Sequence, residues 1–343
     1  MTKRAVVVGA GIGGLCTAIG LRDAGWRVTV LERWRSVVGL GTGIAFWPDT
    51  EAALRRLGLG AVLAERAVPL GRMSLFRSDG VRLGQFFNER LQIVHRRDLM
   101  EGLLAAAAGV DIRTGVDIRA HPEALDGAHL VVGADGINSA VRARIFPDAA
   151  SASTYLGFVA WRGTVPYELD PDDYGETLGG RMHLGLSRLA PGITNWYAGV
   201  PTPEGTREPF DVVARRFSHW RDPIPQVLEA TDANEVLRHP VQDLKPHLKS
   251  YVLDNAALIG DAAHAMSPSL GRGGCEAILD ALELVSRVAA TNNIAGALQA
   301  YDRVRRPATQ RTVVRARWAL RFSTLRYTAV RNGVLRVATR AMR

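Results

Sequence analysis

The chain has 343 residues, 47% hydrophobic and 22% charged, with 35 glycines and 16 prolines. That is the make-up of a folded protein of about two domains, and it excludes disordered, collagen-like and solenoid readings. The formal charge of +9 belongs to the C-terminus: residues 303–343 hold twelve arginines and no acid, so residues 1–302 are net acidic and present no broad basic face for nucleic acid.

Two cysteines, Cys16 and Cys275, stand far apart. They form no CxxC pair, disulfide framework or zinc cluster, so no metal site is expected, and a reducing cytoplasm fits. Lys3 and Arg4 precede an uncharged stretch, but five glycines between Gly9 and Gly20 make a poor export core. No segment reaches the ~20 apolar residues a membrane span needs.

Residues 4–8, RAVVV, read as a buried strand, followed by Gly9, Gly11, Gly13 and Gly14 and an apolar-periodic stretch to Ala24. This is G-x-G-x-x-G between strand and helix. Gly9 permits the tight turn, Gly11 lets backbone approach a pyrophosphate, and Gly14 lets the helix close on the sheet, with helix N–H groups facing the phosphates. Arg27 to Leu31 supplies a second strand, and Glu32 at its end is placed to hold adenosine ribose hydroxyls. Glu32 alone does not separate FAD from NAD.

Further on, LVVGADGINSAVR (130–142) and ALIGDAAHAMSPSLGRGGCEAILDA (257–281) strongly resemble the second and third fingerprints of the FAD-dependent aromatic hydroxylases, the single-component flavoprotein monooxygenases. The three motifs lie in that family's order and span almost the whole chain. The resemblance implies non-covalent FAD, held by the glycines above and by Glu32, Arg33, Gly43, Ile44, Arg96, Asp135, Asp261, Pro268, Gly271, Gly273, Gly274 and Cys275. Asp261, at a strand end, is suited to ribityl hydroxyls, and the helix opening at Gly273 would aim its N-terminus at the flavin pyrimidine edge. Asp135-Gly136, with Arg142 as its basic member, reads equally as a strand–turn–helix cap. His264 reads as a hydrogen-bonded structural residue and Cys275 as a small packing residue. Asp49 stands where Asn is usual and Leu279 replaces a usual acid, while only Arg119 to Ala128 fills the place of the family's hairpin before the second fingerprint.

Residues 154–250 change character: YLGFVAWRGTVP, RMHLGLSRL and NWYAGV read as strands, and 210–230 as helices. Ten of the 23 aromatic residues fall between Tyr155 and Trp220, which suits either a ring-lined pocket or ordinary strand composition. Trp161, Arg181, His183, Trp196, Tyr197 and Pro268 are the candidate pocket residues, with Arg72 or Met73 entering from the first crossover. No catalytic base is assigned.

The expected fold is α/β, a Rossmann-like FAD-binding domain (1–70, 91–153 and 251–300) with an inserted antiparallel-sheet substrate domain (71–90 and 154–250) and C-terminal helices (301–343). Those helices are expected to break near Pro307, with Trp318, Phe322, Leu325, Val334 and Leu335 packing on the domains. With one stationary nucleotide site, NADPH or NADH would visit transiently. The expected reaction is monooxygenation by O2 of an aromatic or hydrophobic small molecule through a flavin C4a-hydroperoxide. The alternatives are another FAD oxidoreductase of the fold, saturase- or halogenase-like, and a peripheral membrane-binding flavoprotein acting through the Arg-rich C-terminus. The W-x-W-x-I-P halogenase signature is absent, since Trp161 is followed by Arg162 and Gly163.

Overall fold

The computed structural model describes residues 2–37, 41–146 and 152–341. Its first half comprises β1 (Arg4–Val8), α1 (Ile12–Asp23), β2 (Arg27–Glu32), β3 (Gly43–Phe46), α2 (Pro48–Leu54), α3 (Gly60–Arg66), β4 (Val68–Arg77), β5 (Arg82–His95), α4 (Arg96–Ala106), β6 (Asp111–Thr114), β7 (Leu130–Gly133) and α5 (Ala140–Ile145). The second half continues with β8 (Ala152–Pro166), β9 (Gly175–Gly179), β10 (Met182–Ala190), β11 (Ile193–Pro201), α6 (Phe210–Arg215), α7 (Ile224–Glu229) and β12 (Leu237–Lys245). It ends with β13 (Val252–Leu253), β14 (Ala256–Leu258), α8 (Asp261–His264), α9 (Gly273–Ala289), α10 (Ile294–Ser323) and α11 (Thr328–Ala341).

Short runs of Val, Ala and Leu buried on both faces form β1, β7 and β14, the middle of a six-stranded sheet in the order β13-β14-β7-β1-β2-β6. β1 sits between β2 and β7 in parallel register, with Ala5 opposite both Val28 and Leu130. Only the β13–β14 pair is antiparallel. α1 lies against α9, where a Cβ on Gly20 would come within 3.0 Å of Val285. Strands from Arg4–Val8 to Ala256–Leu258 thus share one core, which places the ends of β1, β2 and β14 together.

The second sheet has eight strands, β12-β8-β11-β10-β9-β4-β5-β3. It is antiparallel except for the β4–β9 pair, which is parallel. Strand period 2 divides its side chains. One face of β8, β10 and β11 buries Trp161, Leu184, Leu186, Trp196 and Ala198 with Val213, Phe217 and Trp220 beneath α6 and α7; the other face carries Arg162, His183, Gly185, Asn195 and Tyr197.

The expected break at Pro307 does not occur, because α10 runs unbroken from Ile294 to Ser323, across the boundary expected at 300. A mid-helix proline costs ~3 kcal/mol, and a buried stripe of Tyr301, Thr309, Val313, Ala316 and Leu320 at helical spacing holds the helix through it. The break comes at 324–327 instead. Trp318 and Val334 were expected to pack inward, yet they are 64% and 50% exposed, because helical phase turns Trp318 away from that stripe and Val334 away from the inward side of α11, where Arg331 is buried. Phe322, Leu325 and Leu335 are half-buried.

Candidate active site

The glycine loop between β1 and α1 shows what each glycine does. Gly9 has φ +103°, and a Cβ there would lie 2.4 Å from the Ala134 carbonyl oxygen; one on Gly14 would lie 1.9 Å from that of Gly9. Both are required by the protein's own backbone. Gly13 faces Ala277 at 3.2 Å, so it sets the spacing of α1 from α9. A Cβ on Gly11, in contrast, meets no atom within 4 Å: the loop leaves an opening there, at the N-cap of α1, as an anionic group needs. Glu32 reaches the loop from the end of β2, its Oε2 accepting the Ala10 N–H at 2.8 Å and its Oε1 that of Trp34 at 3.0 Å. Arg33 is exposed, 5.1 Å from the ring of Trp34.

Asp261 follows Gly260, whose φ of +57° turns the chain out of β14 into α8. Its carboxylate is reachable from the cleft yet ringed by protein. That crowding pushes its pKa up, while His264, Arg96 and Arg162 pull it partly back. Arg96 starts α4, and Arg162 faces it from β8. Desolvation lowers both guanidinium pKa values and Asp261 counters it. None of these three side chains has a hydrogen-bond partner among the described residues, so the cleft holds two cations and one anion awaiting a ligand with groups of both kinds.

The loop after α8 carries Pro268, exposed, and Gly271 at φ +62°. α9 then starts at Gly273, where a Cβ would again meet nothing within 4 Å; one on Gly274 would strike Ile44 at 2.8 Å, fixing β3 against the helix. Gly43 is pinned by the second sheet, its N–H donating to Asn195 Oδ1 at 2.8 Å. Asp49 and Arg272 are joined at 3.0 Å, so the acid in place of the usual Asn ties the segment after β3 to the start of α9.

Three expected site residues are used internally. Asp135 accepts from Ser139 Oγ at 2.5 Å and from the Ala140 and Val141 N–H groups at 2.7 and 3.1 Å, capping α5. Arg142 is buried, donating to the carbonyls of Ala262 and Ile137; it links the second fingerprint to α8. Cys275 is 1% exposed, with Sγ 3.5 Å from the Ala45 carbonyl oxygen, and burial pushes its thiol up. His264 is structural, with Nε2 2.5 Å from Asp280.

The sheet face turned toward Gly43 carries a row set by register: Arg162 opposite Tyr197, Tyr197 opposite Gly185, and Gly185 opposite Glu176. Tyr197 lies across Gly185, where a Cβ would come within 2.2 Å of its ring, and its hydroxyl donates to Glu176 Oε2 at 3.1 Å. Burial, reinforced by Glu176, raises the Tyr197 pKa well above the phenol range. His183 lies likewise over Gly199, with Nδ1 lacking a partner among the described residues. His239, on β12 opposite Ala160, is held below the usual imidazole range by burial and by Arg162 and Arg96.

Three expectations about the cleft lining are corrected. Trp161 and Trp196 do not line the cleft: they occupy the opposite parity and pack on Phe210 at 6.2 and 5.6 Å, and Trp196 Nε1 donates to Thr231. Trp161→Leu is therefore expected to lower stability by about 1–3 kcal/mol and to leave peroxide formed per nicotinamide consumed unchanged; thermal melts with a peroxide assay check both. Arg181 stands exposed at the β9–β10 turn, 5.6 Å from the Phe158 ring. Arg72 is a surface residue paired with Asp172 at 3.6 Å, and Met73 packs with Leu70, Ile93 and Leu189.

Arg162, Glu176 and His239 were missed from the sequence. The available signal was glycine inside strands: Gly185 and Gly199 each lie under a ring of the cleft face on the neighbouring strand. A groove of about 520 Å³ between α1, α2, α9 and α10 touches none of the candidate residues.

The family model described as "FAD binding domain" matches residues 2–316. The chain is 31% identical over 325 residues to the aurachin C monooxygenase/isomerase of Stigmatella aurantiaca, covering 88% of this chain and 84% of that protein. The chain belongs to the FAD-dependent aromatic hydroxylase family. It is also 29% identical to the FAD-dependent urate hydroxylase of Klebsiella pneumoniae, over 92% of this chain and 88% of that one. The crystal structure of Klebsiella pneumoniae HpxO complexed with FAD and uric acid superposes with a TM-score of 0.88 at 25% identity, covering 99% of this chain and 95% of that chain. The cofactor of this family is FAD, and the opening at Gly11, the unpaired Asp261 and the second opening at Gly273 fit it.

Proposed function

We propose that this FAD-dependent monooxygenase uses NAD(P)H and O2 to hydroxylate or epoxidise an aromatic or polycyclic small molecule, and that the molecule carries an acidic ring hydroxyl or carboxyl group. The observation behind the finer part is the row Arg162–Tyr197–Glu176 on the face turned to Gly43.

When bound and reduced by NAD(P)H, FAD supplies the oxygen activation that no side chain here can provide. The chain's own residues bind and orient. Gly11 and the first N–H groups of α1 receive the pyrophosphate, Glu32 the adenosine ribose, Asp261 the ribityl hydroxyls, and the α9 N-terminus the pyrimidine edge. Arg162 meets the anionic oxygen of the substrate as a charge-assisted donor. Because the Tyr197 O–H donates to Glu176, the lone pairs of that hydroxyl are left to accept from a substrate hydroxyl. Phe158 and Ala160, packed with Leu320 of α10, close the same face against water.

The test is a screen for compounds that accelerate NAD(P)H oxidation, followed by product mass for one added oxygen atom. With the substrate found, Arg162→Met is expected to weaken binding of the ionised molecule about 10–100-fold, the loss of one charged hydrogen bond. Its methyl ether or ester should bind both proteins alike. Equal losses for the two ligands would show that Arg162 does not hold the anion.

A further inference from the structure

We propose that the outer face of α11, with the end of α10, is a docking surface for an anionic lipid bilayer. Tyr327, Val330, Val334 and Val337 recur at spacings of three and four, so they form one stripe, and they are 77%, 62%, 50% and 70% exposed. Trp318 on α10 is 64% exposed, and Phe87 on β5, along which α11 packs, is also 64% exposed. Isolated exposed apolar residues are ordinary; a run of them on one helix face, on the helix that follows Trp318 and packs along the strand of Phe87, is an interaction site.

The helix cannot hide that stripe by rolling. Arg331, about a quarter turn round the helix on its inward flank, is 1% exposed, and its Nη1 donates to the carbonyls of Ser323 at 2.8 Å and Gly180 at 3.1 Å. Turning the valines inward would pull this guanidinium out of its carbonyl cage.

Charge decides what covers the stripe. Arg315, Arg321 and Arg336 are exposed on these two helices and Arg326 on the link between them, and residues 303–343 contain no acid. Arg321 lies 5.9 Å from the Trp318 ring, a cation–aromatic pair suited to the headgroup level of a membrane. A second copy of the same two helices would set arginine against arginine, since neither stretch of 303–343 carries an acid to pair them. A nucleic acid would use the cations and leave the apolar stripe in water. An anionic bilayer takes both, the arginines at lipid phosphates and the stripe a few ångströms into the acyl boundary. No helix among the described residues is long and apolar enough to cross a membrane, so the surface lies on the bilayer.

The test uses the full-length holoprotein with vesicles of phosphatidylcholine alone or mixed with phosphatidylglycerol. Sedimentation with the mixed vesicles is expected, weakened by salt and absent with phosphatidylcholine alone. The Val330→Asp/Val337→Asp double variant should bind at least about tenfold less with its flavin spectrum and melting temperature unchanged, since both side chains point to solvent. Arg321→Glu/Arg326→Glu should act in the same direction. Failure of the parent protein to sediment overturns the proposal, as does equal sedimentation of the valine variant. So does a concentration-dependent dimer, seen in gel filtration without vesicles and abolished by the valine variant, which would assign the stripe to a second copy. None of these readouts depends on the substrate reading.

Discussion

A Gly11→Val variant is expected to purify folded and colourless. The backbone at Gly11, φ −74° and ψ −178°, is accessible to any residue, and a Cβ there touches no protein atom within 4 Å. The apo fold should therefore melt where the parent apoprotein does. The added isopropyl group fills the opening in which the pyrophosphate must contact the loop. Two charge-assisted N–H···O bonds lost at ~1.5–3 kcal/mol each amount to a fall in FAD affinity of about 10²–10⁴-fold. Gly14→Ala is the informative contrast. Its Cβ would lie 1.9 Å from the Gly9 carbonyl oxygen, so α1 must move off the loop, and both melting temperature and flavin content should fall. Flavin absorbance per protein together with apoprotein melts separates the two mechanisms. A Gly11→Val protein that keeps stoichiometric FAD would place the pyrophosphate elsewhere.

The same contrast explains how much of this molecule was legible in its sequence. β1 is Arg4–Val8, as the run RAVVV implied, because a fully buried parallel strand must be β-branched or small throughout and its glycine turn is stereochemically forced. The strands at RMHLGLSRL and NWYAGV were equally readable as strands. Their facing was not: a period of two fixes which residues share a side, while the side that meets the flavin depends on where α6 and α7 dock, and that contact is made in three dimensions. Trp161 and Trp196 went beneath those helices and left Arg162 and Tyr197 for the cleft. Pro307 misled for a related reason, since a local penalty was outweighed by the tertiary burial of Tyr301, Val313 and Leu320. Asp135 was open to both readings, and its carboxylate caps α5.

Asp280→Ala is expected to be the most destabilising single substitution outside the apolar core. Asp280 is fully buried and joins three segments: its Oδ2 accepts from the Gly260 N–H at 2.9 Å and lies 2.5 Å from His264 Nε2, while its Oδ1 accepts from Arg305 Nε at 2.6 Å. Arg305 in turn meets Glu276 at 2.6 Å, and Glu276 meets Arg272 at 3.0 Å. The network thus ties the turn before Asp261 to α9 and α10, and continues to Asp49 beside β3. No local pattern shows it, because Arg305 comes from a helix that is separate in sequence. Removing the carboxylate leaves Arg305 and His264 short of a partner in the interior, a loss of about 3–5 kcal/mol, read by denaturant unfolding of the apoprotein.

The pair also sets a pH window. Burial would raise the Asp280 pKa, but the His264 and Arg305 charges and the Gly260 N–H hold it below the usual carboxylate value. Its contribution is therefore present above the unfolded pKa of about 3.9 and is lost as pH falls through the lower folded value. Burial alone would lower the His264 pKa, yet Asp280 and Asp261 outweigh it and the net shift is upward. That contribution is complete below the unfolded pKa of about 6.5 and is lost as pH rises through the higher folded value. Parent stability should accordingly fall on both the acid and the alkaline side. His264→Asn should flatten the alkaline fall and keep the acid one, since Asp280 still faces Arg305. An alkaline fall of the same size in that variant would mean that another group titrates there.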